Sequence, residues 1–336
     1  MKKIAVNGLG RIGRQVLNHY MNTLPKDVEI VAVNDIAPID ELVYLLKYDS
    51  VHGQPDFDVV SGDGYIMLGD KKMAVFAEKD PANLPWKELD IDVVLECSGF
   101  FTKRAMAAKH LEAGAKKVII SAPSKDADQT IVLGVNENVY NPKTENVISN
   151  ASCTTNSLAP PLKVLNDVFG IEHALVTTVH AYTSTQAILD KPREKRRRGR
   201  SAAVNIIPTT TGSAISTTMV IPELKDKMDA IALRVPVPDG AITDIVAHLK
   251  KDVTVEEINA TLKKYAETKM KGILGYSDEE LVSTDIINNE HSGIVDALST
   301  RVVNKRMVKV LVWYDNEYGY SKRLLELGLF VAKQIK

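Results

Sequence analysis

The stretch IAVNGLGRIG, at residues 4–13, decides how the first half of the chain folds. An apolar run typical of a short buried strand leads directly into Gly8, Gly10 and Gly13, and apolar residues at helical spacing follow. In such a turn the first glycine permits the tight bend and the second lets the backbone approach a pyrophosphate. The third lets the helix pack closely on the strand, and the phosphates lie at the helix N-terminus. The stretch therefore predicts a dinucleotide-binding turn.

A second apolar strand, at residues 30–33, leads to Asp35. In dinucleotide-binding folds an acidic residue about 20 positions after the glycines accepts hydrogen bonds from the adenosine ribose. The glycine pattern alone also occurs in ordinary turns, but strand, glycines, helix, strand and acid in this order favour a cofactor site. The carboxylate of Asp35 repels a 2′-phosphate, so it favours NAD, although a neighbouring cation would leave NADP possible.

The alternation of strands and helices continues to about residue 150. Apolar strands at residues 92–97 and 117–120 lie on either side of a helical stretch at 103–113, and they end in small residues that include Ser98 and Ser121. Such strand ends bind the ligand of a doubly wound sheet, so both serines are candidates for the cofactor crevice, although ordinary loop serines look the same. The first half is predicted to be an α/β domain with a Rossmann-type, doubly wound parallel sheet.

A cysteine among small hydroxyl and amide side chains lies near the middle of the chain. The stretch SCTTN, at residues 152–156, precedes leucines at helical spacing. The N–H groups at a helix start lower the pKa of a thiol and can hold an oxyanion. Many free cysteines are inert packing, so this stretch alone makes Cys153 a candidate nucleophile and leaves the inert alternative open.

His180 has a comparable setting in the second half. A β-rich stretch at residues 174–179 leads to it, and small polar residues follow it. A catalytic thiol needs a base that takes its proton and later returns it. A helix start and a strand end can bring two such groups together, so His180 is the candidate base for Cys153. The other histidines have no comparable setting.

The second half also holds more anion-binding groups than one pyrophosphate needs. The basic run REKRRRGR, at residues 193–200, precedes the hydroxyl-rich turn PTTTG at 208–212, and Arg234 lies inside an apolar strand. A buried arginine is costly without a partner, so a bound anion or an acidic neighbour is expected beside it. This surplus indicates further phosphates at the reaction centre. The hydroxyl residues counted with these cations are Ser152, Thr154, Thr183 and Thr211.

Composition excludes several classes of protein. The 336 residues are 45% hydrophobic, which is enough for about two domains with cores of their own. Basic and acidic residues number 42 and 43, so no overall charge attracts the chain to nucleic acid or to a membrane. Two cysteines, no signal-peptide pattern and no apolar run of bilayer length predict a cytoplasmic protein with no disulfide framework. No metal site is predicted.

Taken together, these motifs resemble those of the phosphorylating glyceraldehyde-3-phosphate dehydrogenase family. The matching stretches run nearly from end to end and are NGLGRIGR (7–14), LKYDS (46–50), SNASCTTN (149–156), TVHAYT (178–183), NIIP (205–208), RVP (234–236), KGILGY (271–276) and WYDNE (313–317). The resemblance implies a homotetramer with an NAD(P)-binding Rossmann domain at residues 1–152. It also implies an α+β catalytic domain with a largely antiparallel or mixed sheet at 153–318, and a C-terminal helix at 319–336 that packs back on the cofactor domain.

The resemblance further implies a reaction and a set of residue roles. In this family the cysteine thiolate attacks the aldehyde of D-glyceraldehyde 3-phosphate and the histidine acts as base. Hydride passes to NAD, or possibly NADP, and inorganic phosphate releases 1,3-bisphosphoglycerate from a thioester. The catalytic positions match Cys153 and His180, the substrate phosphate matches Thr183 and Arg234, and the attacking phosphate matches Ser152, Thr154, Arg198, Thr211 and Gly212. The cofactor positions match Gly8, Gly10, Arg11, Ile12, Gly13, Asp35, Lys79, Ser121 and Asn316.

Five departures from the family pattern accompany this resemblance. The arginine run is denser than usual, so Arg197 and Arg200 remain alternatives for the role matched to Arg198. Ser157 stands where most relatives have a second cysteine, so a disulfide with the catalytic cysteine cannot form there. The double proline at residues 160–161 is expected to bend or distort its helix. Lys191 belongs to a loop that nears the adenosine ribose, where a cation would accept a 2′-phosphate. The pair at 239–240, Asp-Gly, replaces an amide and a β-branched residue, and the sequence gives no functional reason for it.

Two alternatives remain at this point. Erythrose-4-phosphate dehydrogenase shares the fold and the thiol chemistry. A scaffold or RNA-binding role through residues 193–200 belongs to a different class of function. The pairing of Cys153 with His180 argues against it as the main role, so nucleic acid is not expected as the main partner.

Overall fold

The strand that precedes the glycine turn, β1 (Lys2–Asn7), lies inside a nine-stranded sheet in the computed structural model, which describes residues 1–335. The chain divides into two units. The first contains residues 1–131 and 138–151 and the C-terminal segment from Ser321, and the second contains residues 132–137 and 152–320. Each unit has its own sheet, and each carries a different part of the predicted chemistry.

The first unit is built on a sheet that is parallel except at one edge. Its further strands are β2 (Val28–Asn34), β3 (Val59–Gly62), β4 (Tyr65–Leu68), β5 (Lys71–Phe76), β6 (Val93–Glu96), β7 (Lys117–Ile120), β8 (Gln129–Thr130) and β9 (Val147–Ser149). Their order is β3-β4-β5-β2-β1-β6-β7-β9-β8, and only the β3–β4 and β4–β5 pairs are antiparallel. Central strands such as β6 and β7 are buried along their whole length, as expected of a sheet covered on both faces. The predicted Rossmann-type sheet is confirmed.

The helices of the first unit follow the predicted positions with one difference. They are α1 (Arg11–Thr23), α2 (Ile39–Lys47), α3 (Arg104–Ala107) and α4 (Lys109–Glu112). The single helix predicted at residues 103–113 is therefore two short helices that meet at Ala108. Gly114, with a φ of 106°, ends this segment, because only glycine adopts that conformation without strain.

The second unit is built on a seven-stranded mixed sheet. Its helices are α5 (Cys153–Phe169), α6 (Ser213–Val220) and α7 (Val255–Glu267); its strands are β10 (Ile171–Ala181), β11 (Ile207–Thr210), β12 (Met228–Val235), β13 (Ala241–Leu249), β14 (Leu274–Ser277), β15 (Gly293–Val303) and β16 (Met307–Tyr314). The strand order is β11-β12-β10-β13-β16-β15-β14, in which only β10–β12 and β14–β15 pair in parallel. The predicted mixed, largely antiparallel sheet is confirmed.

Helix α5 packs on this sheet and carries the cysteine at its first position. The helix continues through Pro160 and Pro161, so the expected distortion does not divide it. Ser157, in the second turn, donates a hydrogen bond to the Thr154 carbonyl at 3.1 Å and shares another with the Thr243 hydroxyl at 3.2 Å. The hydroxyl at this position therefore ties the start of the helix to strand β13.

The chain ends in a long helix, α8 (Tyr318–Gln334), which begins one residue before the start that the resemblance implies. From Ser321 onward it belongs to the first unit, where a Cβ on Gly328 would lie 3.1 Å from Leu95 and 3.5 Å from Ile4. The glycine thus allows close packing on strands β1 and β6. Among the residues described, no helix combines the length and the apolar character needed to cross a bilayer.

Candidate active site

Ser152 caps helix α5 and fixes Cys153 at the start of its first turn. The Ser152 hydroxyl accepts a hydrogen bond from the Thr155 N–H at 3.0 Å, as an N-cap serine does. The Ser152 carbonyl accepts two more, from the backbone N–H of Asn156 at 2.9 Å and from its side-chain amide at 3.0 Å. The hydroxyl and amide residues around the cysteine therefore build the helix start that the sequence predicted.

The imidazole of His180 faces this thiol. Its Nε2 lies 3.4 Å from the Sγ of Cys153, and the histidine is only 3% exposed. His180 lies in strand β10, one residue before its end, and the parallel pairing of β10 with β12 places it opposite Arg234. Two neighbouring strands and one helix start thus bring together a thiol, an imidazole and a guanidinium.

The hydrogen bonds of His180 fix which ring nitrogen carries the proton. Its Nδ1 lies 2.7 Å from the Ala181 carbonyl oxygen, which can only accept, so we assign the proton to Nδ1. The Arg234 Nη1 donates to the same carbonyl at 2.8 Å; it also lies 3.0 Å from Nδ1, a contact that is not a hydrogen bond in this tautomer. In this tautomer Nε2 presents its lone pair to the thiol, which is the arrangement a base requires.

Burial governs the ionisation of both partners. Together with the charge of Arg234, it lowers the pKa of His180 to about 3. Burial also raises the pKa of the Cys153 thiol, and Arg234 and the hydrogen bonds of Thr154 offset this only in part. Burial therefore opposes the lowering of the thiol pKa that is expected from the helix start. Both shifts favour the neutral pair, a thiol facing an unprotonated Nε2, in the free site.

Two arginines of the second unit lack the acidic partner that burial usually demands. Burial lowers the pKa of Arg234, and within residues 1–335 it forms no ion pair with a carboxylate. Arg198 is held by neutral groups, at 3.1 Å from the Thr209 hydroxyl, 3.3 Å from the Thr185 hydroxyl and 3.1 Å from the Thr210 carbonyl. The charge of Arg198 lowers the pKa of Arg234 further. A bound anion would relieve this repulsion, so the arrangement suits an anionic ligand.

The structure distinguishes Arg198 from its neighbours in the basic run. Arg200 pairs with Asp190 at 2.8 Å, and Arg197 donates to the Pro208 carbonyl at 3.4 Å. The charge of Arg198 is one of the causes that lower the pKa of His180. Arg198 is therefore the member of the run that the fold directs toward the catalytic pair.

Three further predicted anion-binding residues are Thr183, which connects to Arg198 through Thr185, and Thr211 and Gly212, which precede helix α6. The Thr183 hydroxyl bonds that of Thr185 at 2.8 Å, and Thr185 in turn contacts Arg198. Thr211 accepts a hydrogen bond from the Ser213 N–H at 3.2 Å, at the start of helix α6. A Cβ added to Gly212, the residue before that helix, would meet no atom within 4 Å, so the helix start is open on this side.

Sequence reasoning gave no role to Tyr314, which supports the catalytic pair. Its hydroxyl bonds those of Thr154 at 3.0 Å and Thr178 at 2.8 Å, and its ring packs edge-on against His180 with centroids 5.9 Å apart. The tyrosine thus joins helix α5, strand β10 and strand β16. The sequence analysis included it only as part of the matching stretch WYDNE (313–317).

The first unit has a cleft of about 500 Å³ at the glycine turn. A Cβ on Gly8, which has a φ of 94°, would lie 2.6 Å from the Ser98 backbone, and one on Gly13 would lie 2.0 Å from the Gly8 carbonyl oxygen. A Cβ on Gly10 would meet nothing within 4 Å. Gly8 and Gly13 therefore permit close packing. Gly10 leaves the approach to the backbone open, as a bound pyrophosphate requires.

Asp35 lines the same cleft with a firmly held carboxylate. It accepts hydrogen bonds from the Leu9 N–H at 2.7 Å and from the Ala37 N–H at 2.9 Å. Lys79 and Ser98 also line the cleft, as predicted from sequence. Its apolar wall contains residues that sequence reasoning did not identify, and these are Ile36, Phe100, Phe101 and Met106.

Five predicted cofactor residues lie outside this lining, namely Gly13, which packs against the Gly8 carbonyl, and the four described next. Arg11 forms an ion pair with Asp49, and the Ile12 carbonyl accepts a hydrogen bond from Ser321 at 3.3 Å. Ser121 directly follows strand β7, where its N–H donates to the Glu96 carbonyl at 2.9 Å. Asn316 is buried in the second unit, between strand β16 and helix α8.

Comparison with known proteins identifies the family. The profile of the NAD-binding domain of glyceraldehyde 3-phosphate dehydrogenase matches residues 2–104, and the profile of its C-terminal domain matches residues 152–316. The chain belongs to the glyceraldehyde-3-phosphate dehydrogenase family.

Curated members of the family are similar over almost their whole length. The chain is 53% identical to the glyceraldehyde-3-phosphate dehydrogenase of Geobacillus stearothermophilus over 332 residues, which are 99% of this chain and 98% of the relative. It is 54% identical to glyceraldehyde-3-phosphate dehydrogenase 1 of Bacillus subtilis over 332 residues, with the same coverage. The Priestia megaterium enzyme is 54% identical over 330 residues, 98% of each chain.

These findings confirm the predicted family, the enzyme class and NAD as the cofactor. They do not favour the erythrose-4-phosphate alternative. The glycine turn and the ribose-binding carboxylate fit NAD, because an open backbone at Gly10 and an acceptor at Asp35 lie in one cleft.

Proposed function

We propose that this chain oxidises D-glyceraldehyde 3-phosphate to 1,3-bisphosphoglycerate, with Cys153 as nucleophile and His180 as base. The observation that carries the proposal is the 3.4 Å separation of Sγ and Nε2 beside Arg234. A thiol with an adjacent base attacks carbonyl carbons, and a cation without an acidic partner suits a phosphorylated substrate.

The reaction begins when the Cys153 sulfur attacks the aldehyde carbon and Nε2 of His180 takes the thiol proton. The imidazolium then donates a hydrogen bond to the oxygen of the hemithioacetal, where negative charge develops. Oxidation of that carbon leaves a thioester on the sulfur. When bound, NAD supplies the hydride acceptor for this oxidation, and the glycine turn, Asp35 and Lys79 would hold it.

Two anion sites serve the phosphates in this proposal. Thr183 and Arg234 bind the phosphate of the substrate. The inorganic phosphate that attacks the thioester is bound by the second group. That group consists of Ser152, Thr154, Arg198, Thr211 and Gly212. Mutual repulsion of Arg198 and Arg234 supports the pair of sites, because bound anions would relieve it.

We also propose a homotetramer in the cytoplasm. Apolar side chains on the loop before strand β11 are between 69% and 79% exposed, and they are Ile188, Leu189, Val204 and Ile206. Exposure of this kind marks an interaction surface. Light scattering on purified protein tests it against the chain mass of 36.9 kDa, and a monomeric mass would refute it. The free thiols of Cys97 and Cys153 agree with a reducing compartment.

The functional division proposed for the chain is a cofactor domain at residues 1–152, a catalytic domain at 153–318 and a helix at 319–336. The basic run gives no support to an RNA-binding role, since Arg200 pairs with Asp190 and Arg198 is held by threonine residues.

NAD reduction with purified protein tests the proposed reaction. We expect kcat/KM for glyceraldehyde 3-phosphate to exceed that for erythrose 4-phosphate by about tenfold or more, because the anion sites fix the length of the substrate. Repeated turnover should require inorganic phosphate. Preference for erythrose 4-phosphate, or sustained turnover without phosphate, would contradict the proposal.

A further inference from the structure

A buried polar network lies behind the cofactor cleft. Its centre is Glu96, at the end of strand β6, which is 2% exposed. Four donors reach its two carboxylate oxygens: the Asn7 amide, His110 Nε2 at 3.0 Å, and both the N–H and the hydroxyl of Ser98. A carboxylate oxygen can only accept, so it suits all four at once.

The polarity of the network is fixed at one end by Trp86. The indole N–H, which can only donate, reaches His110 Nδ1 at 2.9 Å. Nδ1 of His110 is therefore the acceptor, and its Nε2 carries the proton that Glu96 accepts. His110 is 0% exposed, so bulk solvent does not compete for these hydrogen bonds.

The other end is fixed by the backbone of Glu78. Its N–H donates to the Asn34 side-chain oxygen at 2.8 Å, and its carbonyl accepts from the Asn34 amide nitrogen at 2.9 Å. The Asn34 amide nitrogen also donates to the Asn7 side-chain oxygen at 2.7 Å. The Asn7 amide must therefore present its nitrogen to Glu96, and neither asparagine can flip without losing these bonds.

The network determines what Ser98 can offer a ligand. Its hydroxyl proton is directed to Glu96, and its oxygen accepts the Phe100 N–H at 3.2 Å. The hydroxyl can therefore only accept from a ligand, so it suits a ribose hydroxyl or an amide N–H and opposes a phosphate oxygen.

We propose that Glu96 is a positioning residue for NAD. It orients Ser98 as an acceptor and, through Asn7 and Asn34, holds the segment at residues 78–79. The residues that Glu96 orients or holds all line the cleft, whereas Glu96 itself does not. The carboxylate thus acts on the cofactor through residues that contact the cleft, without lining it itself.

The variant Glu96→Gln tests this inference, because it keeps the side-chain shape and replaces one acceptor with a donor. In either orientation, the NH2 group of the glutamine would face groups that can only donate to it, so at least one hydrogen bond of the network is lost. We expect the Kd for NAD, measured by calorimetry, and the KM for NAD to rise about tenfold or more, with kcat at saturating NAD within about twofold. Alkylation of Cys153 without NAD should be unchanged. Glu112→Gln, on helix α4 of the same unit, is the matched control and should bind NAD normally.

A second variant keeps the proposal open to refutation if Glu96→Gln does not fold. Ser98→Ala removes one acceptor and leaves three donors on Glu96, so the Kd for NAD should rise about threefold to tenfold. Unchanged NAD affinity in either folded variant would overturn the proposal. An equal loss of NAD affinity, kcat and Cys153 alkylation in Glu96→Gln would also overturn it, because that result indicates general damage to the fold.

Discussion

The catalytic pair and the cofactor cleft use buried polar groups in opposite ways. Around Glu96 the donors and acceptors are matched before any ligand binds. Around Cys153 burial opposes the charge of each partner, and the Nε of Arg234 has no hydrogen-bond partner within the part of the chain described. The cleft is thus preorganised for the cofactor, whereas the catalytic pocket keeps an unneutralised cation for an anionic substrate.

The two sites therefore differ in how their polar groups affect the stability of the free protein. A saturated network stabilises the fold and defines one shape, since an unmatched buried group costs about 1–3 kcal/mol. An unsaturated cation such as Arg234 costs stability in the free protein and gains a partner only when a phosphate binds. We therefore expect substitutions in the catalytic pocket to reduce turnover far more than stability, and substitutions in the first unit to do the reverse.

The largest expected effect is that of Cys153→Ala. Without the sulfur no thioester forms, so acyl-phosphate production should fall by at least about 10³-fold while NAD binding is retained. Steady-state turnover and calorimetric NAD titration measure the two quantities. Cys97→Ala is the matched control, because burial raises the pKa of the Cys97 thiol well above its usual range and the proposed reaction does not use it. Substantial turnover in Cys153→Ala would remove the nucleophile assignment.

Arg234→Gln is expected to have the next largest effect. It removes the cation proposed for the substrate phosphate, so kcat/KM for glyceraldehyde 3-phosphate should fall by about 10²-fold. The same cation opposes the rise in the pKa of Cys153, so alkylation of the thiol should require a higher pH. Arg197→Gln, whose side chain contacts only a carbonyl, is the control. Equal kcat/KM values in the two variants would contradict the role of Arg234.

The smallest of these effects concerns the stability of the first unit. The Arg11 guanidinium and two backbone N–H groups outweigh burial and lower the pKa of Asp49 to about 2. A lowered folded-state pKa gives stability that is present above the unfolded value of about 4 and is lost as the pH falls toward 2. Asp49→Asn should therefore lower the free energy of unfolding at pH 7 by about 1–2 kcal/mol and weaken its acid dependence. Denaturant-induced unfolding at several pH values measures the free energy of unfolding. If that free energy falls with decreasing pH equally in the native protein and in Asp49→Asn, the prediction is refuted.

The cofactor half was largely predictable because its signals are local. The glycine turn and Asp35 depend on spacing along one βαβ stretch, so periodicity and glycine positions were sufficient. The contact between Cys153 and His180 is set by the packing of helix α5 on strand β10, which spacing only made plausible. Tyr314 and the network around Glu96 were not predictable, because their roles come from hydrogen bonds between segments far apart in sequence. Burial, which the sequence does not reveal, raises the pKa of the Cys153 thiol and opposes the lowering expected from the helix start.

The rate of Cys153 alkylation against pH, measured without NAD for the native protein and for His180→Asn, tests the central claim most directly. If the thiol and the imidazole share one proton, the asparagine variant should react about tenfold more slowly at pH 7, and its rate should rise only at higher pH. Superimposable pH profiles for the two proteins would show that His180 does not take the thiol proton, and would contradict the account.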